Sequence, residues 1–248
     1  MTSGARDRLA RLLRQQAELG APTLFLEGMT RTEVMARLRD ASTRVESASV
    51  PAGRPPRPRP ASEGPGGYEE LRTEALSCVA CRLHQGRTQV VFCDGSPQGR
   101  LMVVGEAPGA NEDRTGLPFV GQAGKLLDLM LAAIDLSRKD SVYICNVLKC
   151  RPPGNRNPQP DEIERCAPFL KRQIDAVRPE AILAVGTFAA QWLTSSQSAL
   201  GKLRGSLYSY QGVPVVVTYH PAALLRNRGW TRATWDDLQL LRTVLDGG

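Results

Sequence analysis

The sequence predicts a layered α/β fold: a three-layer αβα domain around a central, mainly parallel four-stranded sheet, preceded by an N-terminal extension that is partly helical and partly disordered. Three observations carry this expectation. From Tyr68 onward strand-like and helix-like segments alternate, the order that a layered α/β domain requires. Several strand-like segments are continuous β-branched runs, as in Val213-Pro-Val-Val-Val-Thr-Tyr219, which is how a strand buried on both faces reads. Polar, glycine-bent loops follow these runs, and α/β proteins bind ligands beyond the carboxyl ends of their strands.

Taken in order, residues 1–67 stand apart as an extension and residues 68–248 as the domain. Arg6–Leu26 and Thr30–Arg39 carry apolar residues at helical spacing, and Pro51–Gly67 is dominated by proline, glycine and arginine. The latter stretch cannot pack a core and reads as a disordered or PPII-like linker. Leu9, Leu12 and Leu13 with Leu24 and Phe25 form either a small helical pair, a helix that docks on a protein partner, or an unpacked appendage. Strand candidates are Gln89–Phe92, Leu101–Gly105, Val142–Leu148, Ala181–Val185 and Val213–Tyr219. Helix candidates are Tyr68–Ser77, Gln122–Ile134, Asp161–Val177, Thr187–Leu193 and Thr234–Leu245. Strands separated by helices imply right-handed crossovers, so the ligand-facing loops are expected after Val104, Ile144 and Thr218.

The chain has 248 residues, 42% of them hydrophobic, enough for a real core, and a formal net charge of +7 that favours a polyanionic partner. Without an apolar run of about 18 residues, a membrane span is excluded by length. The arginine-rich start lacks the apolar core and small-residue cleavage site of a secretory signal, so the expectation is a cytoplasmic protein.

Chemistry concentrates in four places. The loop Gly105-Glu-Ala-Pro-Gly-Ala-Asn-Glu-Asp-Arg-Thr-Gly-Leu-Pro-Phe-Val-Gly121 offers Glu106, Glu112, Asp113 and the aromatic face of Phe119, a setting for a flat, polar ligand. It ends in Gly121-Gln-Ala-Gly-Lys125, which is no P-loop, because Phe119 stands where the first glycine belongs and Leu126 follows the lysine. Cys78-Val-Ala-Cys81 has a spacer that lets two thiolates grip one metal, and Cys150 and Cys166 offer a second pair; spacing alone fits zinc or an iron–sulfur cluster. With Cys93 and Cys145 there are six cysteines, but a chain of this size without a signal sequence needs no disulfide framework. His220, one of only two histidines, follows a buried strand and precedes the rigid Pro221; it fits either a donor to a developing anion or a structural hydrogen-bonder. Asn146 near another strand end either reads a carbonyl and an imide N–H together or bonds its own backbone in a turn.

Together the segments GEAPGANEDRTGLPFVGQAG, NVLKCRPPGNRNPQPDE and HPAALLRN, with the four cysteines, closely resemble the family 4 uracil-DNA glycosylases over about Tyr68–Asp246. The family 5 pattern has an apolar residue in place of Glu106, and the relatives that link covalently to DNA carry a basic, histidine-containing insertion that is missing between Lys149 and Asp161. The resemblance implies a monomeric DNA-repair hydrolase of the prokaryotic nucleoid that acts on uracil in single- or double-stranded DNA and leaves an abasic site. The alternative is a non-catalytic damage-sensing module of the same fold.

The resemblance also implies a [4Fe–4S] cluster on Cys78, Cys81, Cys150 and Cys166, ordering a segment whose Arg151, Asn155 and Arg156 face DNA. Phe119 would stack on the flipped base, Asn146 would read its O4 and N3 edge, and Glu112 would exclude a C5 methyl. His220 would donate to O2. Glu106 would orient the attacking water or stabilise the sugar cation, or else brace its loop; relatives with an aspartate catalyst carry it at the position of Ala107, which lines the substrate pocket here. Leu224, with Leu225 as its rival, would be the wedge that enters the gap in the duplex, and Lys202, Arg204 and Arg226 would contact phosphates.

Overall fold

The computed structural model of the chain describes residues 65–247. Expectations for residues 1–64, the helical spacing and most of the linker, lie outside the described residues. Residues 65–67, expected to close the linker, instead open the first helix, α1 (Pro65–Leu76), consistent with proline's fitness for the first helical turn.

Six strands form one sheet: β1 (Asp94–Gly95), β2 (Leu101–Gly105), β3 (Val142–Asn146), β4 (Ala181–Val185), β5 (Leu207–Tyr210) and β6 (Val213–Thr218), in the spatial order β1-β3-β2-β4-β6-β5. The four inner strands are parallel, and the two edges pair antiparallel. Every residue of β2, β3 and β4 is buried, which explains their unbroken apolar runs.

The pleat divides these residues between two cores. Leu101, Val103, Ile144, Leu183 and Val216 face α3 (Gln122–Ala132), α7 (Pro221–Arg226) and α8 (Thr231–Asp246). Met102, Val104, Tyr143, Ile182 and Val217 face α4 (Pro160–Val177) and α5 (Thr187–Thr194), with the short α6 (Leu200–Leu203) packed against the same core. The three-layer expectation therefore holds. A third cluster packs α1, through Leu71 and Ala75, onto Leu83, Phe92, Leu148 and Phe169 beside the four expected thiol ligands.

Three differences from the sequence expectation have local causes. Gln89–Phe92 is not a strand: it is an extended segment tied by one ladder-like bond, from Val91 N–H to Lys149 O at 2.8 Å, and sheet pairing begins only at Asp94. β5 was not anticipated; it forms a hairpin with β6 through Gln211 and Gly212, both at positive φ (50° and 83°), the conformation that a tight hairpin turn requires. Inside the 105–121 loop lies a short helix, α2 (Ala110–Thr115), stopped by Gly116 in the left-handed conformation at φ 75°.

Candidate functional site

The parallel register brings the strand ends level. Gly105 at the end of β2 pairs with Asn146 at the end of β3, and Val185 at the end of β4 with Thr218 at the end of β6. The three loops expected to face a ligand therefore start from one edge of the sheet. Their approach is close enough to demand glycine: a Cβ on Gly105 would clash with Asn146 Oδ1 and stand 2.6 Å from Phe119 Cζ. Gly186, at φ +93°, serves the next strand end, where a Cβ would lie 3.1 Å from His220 Cβ.

Phe119 is 6% exposed and has a left-handed backbone, φ 55°, a conformation that costs a bulky residue energy and persists only when its surroundings fix it. Arg138 does the fixing. Its Nη1 donates to Pro118 O (3.0 Å) and Asp94 (2.7 Å), its Nη2 to Phe119 O (2.9 Å), and its Nε to Asp128 (2.9 Å). Gly124 on α3 passes so close that a Cβ there would overlap the Phe119 carbonyl. The Phe119 ring is thereby held 5.5 Å from the His220 ring, centroid to centroid, with only 26° between their planes.

His220 caps α7: the Ala222 N–H donates to its Nδ1 at 3.1 Å. A nitrogen that accepts carries no proton, so the neutral ring must hold its proton on Nε2, which has no partner among the described residues. Burial, helped by the positive charge of Arg226, pushes the His220 pKa down to about 4 against a smaller opposing pull from Glu112. The imidazole is therefore a neutral donor at physiological pH.

The two loop glutamates divide their roles. Glu112, on α2, accepts the N–H groups of Val120 (2.9 Å) and Gly121 (3.0 Å) through one oxygen and so braces the loop; its neighbour Asp113 accepts the Thr88 N–H at 2.9 Å. The carboxylate of Glu106 has no hydrogen-bond or ion-pair partner among the described residues, and burial raises its pKa above the ordinary glutamate value. Bracing, which the sequence left open for Glu106, thus belongs to Glu112. Asn146 is 2% exposed, yet its side-chain amide is likewise unpartnered among the described residues, while its carbonyl accepts from the buried Lys149 Nζ at 2.6 Å. Ala107 is half-buried and packs toward the third cluster.

Of the residues expected to meet DNA, Lys202 and Arg226 are exposed. Arg204 is turned inward, contrary to expectation: its Nε donates to Asp237 at 2.8 Å, Nη2 donates to Ala233 O, and its guanidinium lies 4.2 Å over the Tyr219 ring. Leu224 is also corrected; it is 5% exposed and part of the core, whereas Leu225 is 50% exposed. The helical phase of α7 decides between these adjacent leucines. Arg156 is committed to the buried Glu162, with bonds of 2.9 and 2.6 Å, while Arg151 bonds only the neutral Asn155 side chain, at 2.7 Å. Sequence reasoning missed Arg138 and Lys149, whose partners are backbone carbonyls and distant acids that no local motif announces.

The four thiols meet in one place. Cys78, Cys81, Cys150 and Cys166 line a single cavity together with Leu83, Arg87 and Phe169. Three N–H donors already point at sulfur: Arg87 Nη1 lies 3.3 Å from Cys150 Sγ, the Lys149 N–H 3.3 Å from Cys166 Sγ, and the Ala80 N–H 3.5 Å from Cys78 Sγ. His84 lines the cavity too, but its Nδ1–H is directed at Cys81 O, 2.8 Å away. Among the described residues no group of three or more His, Cys, Asp or Glu converges on a single-ion position. Four thiols around one cavity, with N–H donors aimed at sulfur, form a donor set of the all-thiolate kind. Cys93 lies outside this ring, against Tyr68 at 3.2 Å, and Cys145 is buried in the sheet.

A family model described as the uracil DNA glycosylase superfamily matches residues 92–239. The type-4 uracil-DNA glycosylase of Sulfurisphaera tokodaii is 43% identical over 184 residues, covering 71% of this chain and 84% of that protein. The type-4 enzymes of Archaeoglobus fulgidus (45% identical over 165 residues; 63% and 82% covered) and Thermotoga maritima (46% over 162 residues; 64% and 84%) are similar too.

The packing of Gly124 against Phe119 makes a direct prediction. Gly124→Ala is expected to destabilise the domain by about 1–3 kcal/mol in urea unfolding, because the added methyl must displace a carbonyl that Arg138 holds. An unchanged midpoint would mean that the Phe119 backbone has slack.

Proposed function

The chain belongs to the uracil-DNA glycosylase superfamily, and from that premise we propose that it excises uracil from DNA by hydrolysing the N-glycosidic bond and leaves an abasic site. One observation carries the proposal: the Phe119 face, the Asn146 amide and a neutral His220 donor stand together at the ends of three parallel strands. Uracil inside a duplex is out of reach, so the nucleotide must be flipped out at a cost of a few kcal/mol. Stacking on an aromatic ring returns about 1–3 kcal/mol of that. A base laid parallel to Phe119 lies within about 26° of the imidazole plane, the orientation in which an Nε2–H bonds in plane to a base carbonyl. Asn146, donating to O4 and accepting from N3–H, separates uracil from cytosine, whose exocyclic amine would oppose the amide donor. Exclusion of the thymine methyl falls to the Glu112 side of the pocket, where the braced loop cannot yield.

As the glycosidic bond breaks, positive charge develops on the sugar and negative charge on O2. His220 stabilises the latter without surrendering a proton, since its depressed pKa keeps the ring neutral before and during the step. Glu106, unpartnered and partly buried, orients the attacking water or faces the sugar cation. Leu225 takes the wedge role that Leu224 cannot, and Lys202 and Arg226 hold phosphates.

The four-thiol cavity fits a [4Fe–4S] cluster, which when bound cross-links the turn after α1 to α4 and to the segment after β3. Around it, Arg87 and the Lys149 N–H direct hydrogen bonds at two of the sulfurs.

A uracil-containing oligonucleotide incubated with the protein and then with alkali is expected to break at the uracil; intact DNA with a fully loaded cluster would contradict the proposal. In single turnover, His220→Ala is expected to slow excision about 10²–10³-fold. The pH profile follows from the two shifted groups. Glu106 acts as a carboxylate with a raised pKa, so rate is lost as pH falls through a value above that of an ordinary glutamate, while His220 stays neutral down to about 4. This acid limb should vanish in Glu106→Gln. A limb near the ordinary histidine value that survives the substitution would show that His220 titrates instead. The purified protein is expected to be brown, with absorbance near about 400 nm and about four irons per chain, and Cys150→Ser to lose most of both; a colourless zinc protein would refute the cluster assignment.

A further inference from the structure

We propose that Trp230 is a stacking platform for an unpaired nucleobase in the DNA strand next to the flipped nucleotide, a contact that makes the protein prefer unpaired or locally opened DNA. The inference rests on the reading of the chain as a DNA glycosylase. It starts from Tyr219, the residue before His220. The Trp230 ring is stacked on Tyr219 with centroids 4.5 Å apart and 9° between planes, and the Arg204 guanidinium lies 4.2 Å over the same tyrosine ring. Two flat groups so near one centroid cannot share a face, so guanidinium, phenol and indole form a three-tiered stack. Its base is anchored: Arg204 is bonded to Asp237 at 2.8 Å and is only 12% exposed. The top tier is open, with Trp230 37% exposed, as expected of an indole covered on one face.

The surroundings select the ligand. Arg226 and Arg228 are exposed on the same short segment, and neither pairs with a carboxylate among the described residues; Arg232, by contrast, pairs with Asp236 at 3.2 Å. Two uncommitted guanidiniums beside an exposed, rigidly backed aromatic face match a phosphodiester with a base next to it. A base paired within a duplex hides both its faces in the stack, so only an unpaired one can use the platform. The exposed Leu225, on the turn before, places this platform beside the wedge that opens the duplex.

The full chain is titrated with a uracil-free single-stranded oligonucleotide and with the same sequence as a fully paired duplex. Trp230→Ala is expected to weaken single-strand binding about 5- to 100-fold, with little effect on duplex, and Trp230→Phe to retain most of the affinity. The slope of log K against log salt should be unchanged in Trp230→Ala but shallower by about one in Arg228→Ala, since a stack releases no counterions and a phosphate contact does. In a Trp192→Phe, Trp235→Phe background, where Trp230 is the remaining tryptophan of three, the single strand should quench its fluorescence. Single-strand binding unaltered by Trp230→Ala, an equal loss on both DNAs, or absence of quenching would overturn the proposal. These binding results do not depend on turnover; failure of the wild-type protein to release uracil would sink the glycosylase reading and leave the stacking result to stand or fall by itself.

Discussion

The parallel pairing of β2 with β3 and of β4 with β6 decides where the loops of this protein can meet. It stops the strands at one level, Gly105 beside Asn146 and Val185 beside Thr218, so loops far apart in sequence begin from one edge. The edge is crowded. Gly105 and Gly124 have no room for a Cβ because Asn146 and Phe119 occupy the space, and that crowding fixes where these two side chains stand. Arg138 then ties the Phe119 carbonyl to Asp94 on the edge strand β1 and to Asp128 on α3.

Lys149 connects Asn146 to the thiol site. Its ammonium holds the Asn146 carbonyl and its backbone N–H points at Cys166 Sγ, while the next residue is Cys150. The Asn146 amide and the four-thiol cavity are thus joined by a few residues of chain. A second tie runs through Glu162, completely buried at the start of α4, which bonds Arg156 and lies 3.6 Å from Arg82 next to Cys81.

Much of this was legible in the sequence. β2 and β4 fell where their apolar runs begin and end, because burial on both faces leaves no polar residue to blur the limits. The glycine-rich loop, Asn146, His220 and the four cysteines were found because each couples a rare residue type to a strand end or a short spacing. What escaped depends on tertiary contact. Nothing local in Arg204 announces Asp237, 33 residues away, so an arginine that stacks inward looked like a phosphate contact. Leu224 and Leu225 are equally apolar, and only the docking of α7 on the core decides which is buried. The two-strand edges were missed because β1 has two residues and β5 alternates exposed and half-buried positions, too short and too polar to stand out.

The Ala222 N–H at the start of α7 sets the tautomer of His220, and burial keeps its ring neutral. With only two histidines in the chain, nitrogen-15 spectra of imidazole-labelled protein can follow His220 individually from pH 5 to 8. A neutral ring protonated on Nε2 is expected throughout that range. A ring that titrates near the ordinary histidine value, or one that carries its proton on Nδ1, would contradict it.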